Sequence, residues 1–275
     1  MKRAQGAALL MVLWIILLLA GLVSGYALSA RVESLQGNGL ARELAAREAA
    51  RAGVEYAAKR MLEPNPRRRF AADGRAYRLV FEGTPVDVEV RDETAKIDLN
   101  AAAPELLQAF FMALGEPRDR AVKLALAIVD WRDPDSLTQP GGGAEDADYA
   151  AAGLAWGAKD APFASVSELE QVLGMRPALF KAAAPFLTVY TGSALPDPQF
   201  ADGIVLQAMG MNGKMPTVDP NSPPRPGSGT YSIDSRARRT DGRIARVSVV
   251  LRMGGNGLPG STYTPLRWQA DGGWQ

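Results

Sequence analysis

Cysteine and histidine are both missing from this chain of 275 residues. Disulfides therefore add nothing to its stability, even in an oxidising compartment. The two absences also remove Ser/His and Cys/His nucleophiles and the usual zinc ligand sets, and no Ser-x-x-Lys spacing replaces them. The formal net charge of +1 argues against a chain that coats nucleic acid along its whole length. These absences disfavour an enzyme and leave structural and binding roles open.

Charged residues are also missing from positions 4–30. The apolar run within this stretch exceeds the roughly 20 residues that a helix needs to cross a bilayer. A secretory signal has a shorter apolar region, although small residues near the end of the run keep a cleaved signal as an alternative. Because Lys2 and Arg3 precede the run, the positive-inside rule places the amino end in the cytoplasm and everything after Arg31 outside.

The segment 40–62 is rich in Ala, Leu, Arg and Glu, which are strong helix formers. Opposite charges four residues apart predict a solvated face, and small residues at steps of three and four predict a flat one. Gly37 to Gly39 is a weak point before this segment, and the EPNP motif at 63–66 must end it. We therefore predict one long, locally interrupted helix over the first sixty residues. Its predicted flat face consists of Ala41, Ala45, Ala49, Ala52 and Tyr56.

Alternation with a period of two replaces the helical pattern at 76–81 and at 86–90, which predicts two half-buried strands joined by a hairpin at EGTP. KIDL at 96–99 predicts a third short strand. Near the carboxyl end, YSIDSRA, IARVSVVLRM and PLRWQ predict an antiparallel meander, with a turn at Asp241-Gly242, that completes the same sheet.

Helical periodicity fills the middle of the chain. Asn100 is a predicted N-cap for a helix that reaches Gly115, and a second helix is predicted over 120–131. A third begins at Ser165, where Ser165 and Glu168 have the spacing of a capping box. The stretch 196–229 is rich in Pro and Gly, and is predicted to be a long irregular connection.

The combined pattern is an α+β chain in which a membrane and stalk helix packs on an antiparallel sheet and a helical block interrupts the sheet. Together with QGAALLMVLWII, KIDLNAA, IVDWRDPDSLTQPGGGAEDADY and FASVSELEQVLGM, it resembles type IV pilin-like subunits, and most specifically minor pseudopilin K of bacterial type II secretion systems. The predicted parts are a leader (1–6), a transmembrane and stalk helix (7–63), the first part of the sheet (64–99), a helical insertion (100–190), a connection (191–230) and the final strands (231–275).

The resemblance implies processing of the amino terminus. Related subunits are cut by prepilin peptidase after a glycine and then methylated, which places the cut between Gly6 and Ala7, with an uncleaved anchor as the alternative. Most pilin-like subunits carry Glu at the fifth mature position, where this chain has Met11. A Met cannot pair with the amino terminus of a neighbouring subunit, which fits a subunit at the filament tip. The alternative is that Met11 simply faces lipid.

A second chemical feature is a group of six carboxylates between positions 130 and 148 with Arg132 as the only cation. Clustered carboxylates repel one another unless water or a cation separates them, and calcium takes six to eight oxygen ligands in flexible geometry. The Pro-Gly-Gly-Gly turn at 140–143 could fold the acidic groups together, and the resembled family binds calcium here. The spacing is not that of an EF-hand, and a solvated acidic loop is the alternative. The candidate ligands are Asp130, Asp133, Asp135, Glu145, Asp146 and Asp148.

The sequence leaves two rival functions open. Two segments each resemble half of a helix-hairpin-helix module, which would make the chain a membrane-anchored DNA-binding protein, but only Gly115 and Gly174 stand at the turns. Residues 100–190 contain seven Lys or Arg and twelve Asp or Glu, a net charge of −5 that opposes phosphate binding. A hydrolase would use paired carboxylates, with Asp130 and Glu145 as nominal candidates.

The resemblance implies a structural protein of the inner membrane with a periplasmic carboxyl-terminal domain. It would initiate assembly of the pseudopilus, cap its tip and support export across the outer membrane, without nucleic acid. The implied partners are minor pseudopilins I and J, the major pseudopilin and prepilin peptidase, with the secretin and secreted substrates as further candidates.

We expect the mature chain to begin at Ala7 with a methylated amino group. Mass spectrometry of the amino-terminal peptide of the purified protein tests this expectation. A peptide that begins at Met1 would reject processing, and one that begins after the apolar run would show a secretory signal.

Overall fold

The computed structural model describes residues 5–211, 227–255 and 261–274. Its elements follow one another along the chain as α1 (Gln5–Met61), β1 (Asp73–Phe81), β2 (Thr84–Asp92), β3 (Ile97–Asp98), α2 (Pro104–Ala113), α3 (Arg118–Arg132), α4 (Asp146–Ala151), α5 (Pro177–Ala183), β4 (Leu187–Thr188), α6 (Gly203–Ala208), β5 (Thr230–Arg238), β6 (Arg243–Met253) and β7 (Tyr263–Trp274).

α1 is a single helix of 57 residues, about 85 Å long at 1.5 Å per residue. The predicted interruption at Gly37 to Gly39 is wrong, because a helical glycine costs only about 1 kcal/mol and strong helix formers flank it on both sides. The helix ends at Met61, just before the two prolines of EPNP, as predicted. It is long and apolar enough to cross a membrane, and the side chains of its apolar part lie outside the core.

The carboxyl-terminal third of α1 packs on the sheet through small residues. The predicted flat face is wrong except at Ala49, because alanines lie on more than one face of this helix and the position of the sheet selects among them. Tyr56 is 42% exposed. At Gly53 an added Cβ would lie 2.2 Å from Ser235 Oγ, so the helix backbone approaches the sheet closely. The buried positions are Ala46, Ala49, Ala50, Gly53, Val54, Ala57 and Ala58.

The main sheet has five antiparallel strands in the order β1-β2-β5-β6-β7. The strands predicted on both sides of the helical block are therefore confirmed as parts of one sheet. Its inner face carries Val86, Val88 and Val90 of β2 together with the apolar residues of β5 and β6. The first hairpin turns at Glu82 and Gly83, which both have positive φ, as a two-residue turn between right-twisted strands requires.

The inserted chain leaves the sheet and returns to it at one point. Asp92, the last residue of β2, lies opposite Tyr231 of β5. The Asp92 carboxylate accepts hydrogen bonds from the backbone N–H and the hydroxyl of Ser228, which fastens the returning chain. The other end of the sheet faces the amino-terminal part of α1, because a Cβ at Gly39 would lie 3.8 Å from the Arg243 guanidinium. The insertion therefore projects from the end of the sheet that is remote from the apolar run.

The inserted region has its own core, built from α2, α3 and the elements that follow them. Two predictions about its start are wrong. The short strand at Ile97–Asp98 pairs in parallel with β4 and does not join the main sheet. Asn100 does not cap α2, which begins at Pro104; its side chain instead exchanges two hydrogen bonds with the backbone of Phe163, at 2.7 and 2.9 Å.

Two later predictions are only partly correct. The capping box of Ser165 and Glu168 is present, but it opens a 3-10 helix over Val166–Gln171. The stretch predicted to be wholly irregular contains α6, which packs against α2 and buries Val205 and Leu206 in the inserted core. The inserted core thus extends beyond residue 190, and the predicted boundary there is too early. Residues 212–226 of that stretch lie outside the described residues.

Gly53→Ala should lower the free energy of unfolding by about 2 kcal/mol, because overpacking forces the helix off the sheet. Besides Ser235, the new Cβ would meet Val86 Cγ1 at 2.8 Å. Chemical denaturation of the purified chain in detergent measures this change. Gly37→Ala is the control, since it meets nothing within 4 Å and should raise stability by up to about 1 kcal/mol. Equal effects of the two substitutions would contradict the close packing.

Candidate metal centre in the inserted helical region

Three of the six predicted carboxylates converge at the end of α3. One oxygen from each of Asp130, Asp133 and Glu145 lies within 4.8 Å of the other two. Because calcium binds oxygens at about 2.3–2.6 Å, ligands of one ion stand at most about 5 Å apart, so this spacing suits a shared ion. Asp130 is fully buried and Glu145 is 5% exposed.

The glycine-rich loop closes over Asp130. The Asp130 carboxylate accepts hydrogen bonds from the backbone N–H of Gln139 at 3.1 Å and of Ala144 at 2.6 Å. A Cβ at Gly143 would lie 1.9 Å from Asp130 Oδ2, so only glycine allows the loop this close. The turn thus carries Glu145 back to α3, which is the folding that the sequence suggested.

Two oxygens of the cluster are orphaned. Within the described residues, Asp133 Oδ1 and Glu145 Oε1 are buried and have no hydrogen-bond partner. A buried oxygen without a donor is costly, and a carboxylate more so. The cluster therefore fits a bound cation, and its purely oxygen donors suit a hard ion such as calcium.

The electrostatics of the cluster support the same conclusion. Burial raises the pKa of Glu145 to about 7, and the charges of Asp130, Asp160 and Asp133 add to the rise. Burial also raises the pKa of Asp130 and of Asp133 above the usual range. A divalent cation would offset this cost of ionisation.

The other three predicted ligands lie outside the cluster. Asp135 is exposed and accepts a hydrogen bond from the backbone of Leu137. Asp146 is exposed, with its carboxylate against Gly157. Asp148 caps α4 by accepting from the backbone N–H of Glu145 at 3.0 Å. These residues shape the loop around the cluster.

Sequence reasoning missed Asp160, whose charge raises the pKa of both Glu145 and Asp133. Asp160 has φ +53°, a left-handed conformation that few residues other than Gly, Asn and Asp adopt. Asp160 lies outside the acidic stretch at 130–148, so nothing in the sequence indicated that it would approach the cluster. Arg132, the one cation of the stretch, turns away from the cluster and donates to the backbone carbonyls of Leu99 and Ala102.

The two rival functions receive little support from the structure. Gly115 and Gly174 both have positive φ at turns, but Arg176, beside the second turn, is paired with Glu116 of the first. The buried carboxylates of Asp130 and Glu145 are inaccessible to a polymeric substrate, which disfavours a hydrolase.

The described residues reach only part of the predicted processing site. Residues 1–4 of the predicted leader lie outside them, and Gly6 and Ala7 belong to the first turns of α1. Met11 is 67% exposed on the same helix.

Glu145→Gln should stabilise the ion-free chain at high pH. The folded pKa of about 7 exceeds the ordinary 4.5, so wild-type stability falls as pH rises through that interval. The variant escapes this loss, so the difference in free energy of unfolding between the variant and the wild type should grow from near zero at pH 4.5 to about 3 kcal/mol at pH 8. Denaturation in chelator across this range measures it. Glu170→Gln, at an exposed position outside the cluster, is the control, and parallel curves for the wild type and Glu145→Gln would contradict the burial of Glu145.

Comparisons with known proteins agree with this architecture. Residues 87–192 match the family model described as type II secretion system (T2SS), protein K. A search of curated proteins found no match. The fold is similar to a chain in the crystal structure of the GspK-GspI-GspJ complex from the enterotoxigenic Escherichia coli type 2 secretion system, with a TM-score of 0.61 and 18% identity over 88% of this chain and 99% of that one.

The matched family segment begins in β2 and covers the acidic cluster. The predicted α+β pilin-like fold is confirmed. The predicted recognition agrees with the match of residues 87–192 to the protein K family model and with the fold of the similar structure.

Proposed function

We propose that this chain is a minor pseudopilin at the tip of the type II secretion pseudopilus, where it initiates assembly with minor pseudopilins I and J and supports export across the outer membrane. The observation that carries this proposal is the position of the insertion. It leaves the sheet at Asp92 and returns at Tyr231, at the end remote from the apolar run. In a filament, a subunit stacked on the side away from the membrane would meet this helical region. The sheet and its insertion therefore suit the end of a filament better than its shaft.

The anchor supports the same proposal. α1 offers an apolar run long enough to cross the inner membrane, with the sheet and the insertion on the periplasmic side. Prepilin peptidase would cut between Gly6 and Ala7. Met11 then stands where most pilin-like subunits carry a glutamate that pairs with a neighbour, and its exposed thioether needs no such partner. A subunit without that pairing fits the first position in a filament.

We further propose that the acidic cluster binds calcium. The cluster offers three converging carboxylates, and two orphaned oxygens among them need a partner. An ion there would tie the loop after α3 to the helix itself and so hold the outward part of the insertion in one shape. The role is structural, because the buried ligands leave the ion remote from any substrate.

Calcium should raise the unfolding midpoint of the chain at pH 7.5. Saturation at 100 times the dissociation constant adds about 2.7 kcal/mol, or roughly 5–10 °C for a domain of this size. Asp133→Asn keeps the shape but weakens a ligand and should abolish most of the increase, whereas the exposed Glu170→Gln should keep it. A midpoint that is the same in calcium and in chelator would reject the ion.

The partner assignment is tested by co-purification. The tagged full-length chain, co-expressed with minor pseudopilins I and J of the same bacterium, should retain both through washes in detergent and moderate salt. The major pseudopilin alone, in place of the two, is the comparison and should be retained weakly. If neither minor pseudopilin is recovered with the tagged chain, the proposal is rejected. Binding of duplex DNA by the chain at the same salt concentration would instead support the DNA-binding alternative.

A further inference from the structure

The hairpin that joins β5 to β6 is strongly basic. We call residues 236–246 the basic hairpin, and they contain five arginines and one aspartate, a net charge of +4. The register places Arg236 directly opposite Arg246, and like charges at such a pair are destabilising. An anion beside the hairpin would offset this repulsion. The five arginines are Arg236, Arg238, Arg239, Arg243 and Arg246.

Carboxylates of the chain itself offset only part of this charge. Arg239 and Arg243 share one carboxylate, that of Asp241, at 3.6 and 3.4 Å. Arg246 pairs with Asp234 of β5. Three of the five arginines are thus paired within the hairpin and its flanking strand.

The other two, Arg236 and Arg238, are exposed, and neither forms an ion pair with any residue that the structure describes. They lie two positions apart on β5, so both are on the outer face of the sheet. Asp87, which the register places opposite Arg236, is already paired with Arg78. Two positive charges therefore face the solvent side by side.

The basic hairpin lies at the end of the sheet nearest the apolar run of α1. The Arg243 guanidinium is beside Gly39 of the helix, where an added Cβ would meet it at 3.8 Å. From there β6 runs away from the apolar run, because its other end, Met253, is paired with Tyr263, whose hydroxyl bonds to Glu55. The turn of the hairpin therefore points toward the apolar run.

The length of α1 between the apolar run and the hairpin sets the distance of the hairpin from a bilayer. Arg31, the first charged residue after the run, is eight residues before Gly39, or about 12 Å along the helix. When Arg31 lies at the edge of the hydrocarbon, a headgroup layer of about 5–8 Å covers part of this distance. The gap that remains is about 4–7 Å, which is shorter than the Debye length of about 8 Å at physiological ionic strength. Headgroup charges therefore act on the hairpin when α1 spans a bilayer.

The far end of the chain carries the opposite charge. Residues 100–190 have a net charge of −5, and the insertion projects from the end of the sheet that is remote from the apolar run. An anionic surface attracts the basic hairpin and repels the insertion. Both forces keep the insertion away from the membrane.

We propose that the basic hairpin binds anionic phospholipid headgroups of the bilayer in which α1 is anchored, with Arg236 and Arg238 as the main contacts. The inference rests on the membrane anchor in the proposed function and adds a second attachment to it. The position favours lipid over an acidic protein, because the gap to the headgroups is narrower than a helix, which is about 10 Å across. Arginine clusters this close to a membrane are attracted by anionic headgroups.

Energy transfer from the hairpin to the lipid surface tests this attachment. Because the chain has no cysteine, Thr240→Cys at the exposed turn provides a single site for a fluorescent donor. The full-length chain is reconstituted in vesicles with a trace of acceptor-labelled lipid. Vesicles of equal parts phosphatidylcholine and phosphatidylglycerol should give about twofold more transfer than phosphatidylcholine alone, and high salt should abolish the difference.

Three paired substitutions identify the contacts. Arg236→Gln with Arg238→Gln should abolish the difference between the two kinds of vesicle, whereas Arg236→Lys with Arg238→Lys should keep it because the charge is retained. Arg118→Gln with Arg120→Gln is the matched control, since it removes the same charge from exposed positions of the insertion and should also keep the difference.

Equal transfer in both kinds of vesicle, or equal loss with both glutamine pairs, would overturn the inference and leave the proposed function standing. If the hairpin glutamine pair leaves the transfer unchanged but abolishes co-purification with minor pseudopilins I and J, the hairpin contacts protein and the inference is overturned. A wild-type chain that does not float with the vesicles would reject the membrane anchor itself, and with it both proposals.

Discussion

The close approach of α1 to the sheet is the constraint on which the rest of the structure depends. A stripe of alanines around Gly53 brings the helix backbone onto β2 and β5, so close that a Cβ at Gly53 would meet Ser235 Oγ at 2.2 Å. Small side chains contribute little apolar area each, but they allow dense packing along several turns. The sheet is thereby fixed to a helix whose other end is apolar enough for a bilayer, and the inserted region is fixed to the sheet.

A second set of contacts fixes the insertion to the end of the sheet. Buried carboxylates stand at its root, where Asp92 holds the returning chain at Ser228 and Asp98 accepts from the backbone of Thr191 and Gly192. Glu93, also buried, bonds to the hydroxyl of Thr188 and to Lys96. These contacts explain how a long excursion from the sheet can keep one orientation, which the proposed position at a filament end requires.

Much of this architecture could be predicted from the sequence. Alternation with a period of two predicted the strands, and the EPNP motif after a run of strong helix formers predicted where the helix ends. The buried face of α1 could not be predicted, because alanines lie on several sides of the helix. Which side is buried depends on where the sheet packs. The role of Asn100 depends on Phe163, which is 63 residues away. For the acidic cluster, the sequence identified the six candidate carboxylates. Only the fold shows that Asp130, Asp133 and Glu145 converge and that the charge of Asp160 acts on them.

The central claim is that one copy of this chain ends the pseudopilus, with its helical region outermost. Quantitative mass spectrometry of pseudopili sheared from cells and sorted by length measures the ratio of this chain to the major pseudopilin. A tip subunit is present once in each filament, so the ratio should fall in inverse proportion to filament length. A ratio that stays constant as filaments lengthen would place the chain along the shaft and contradict the account.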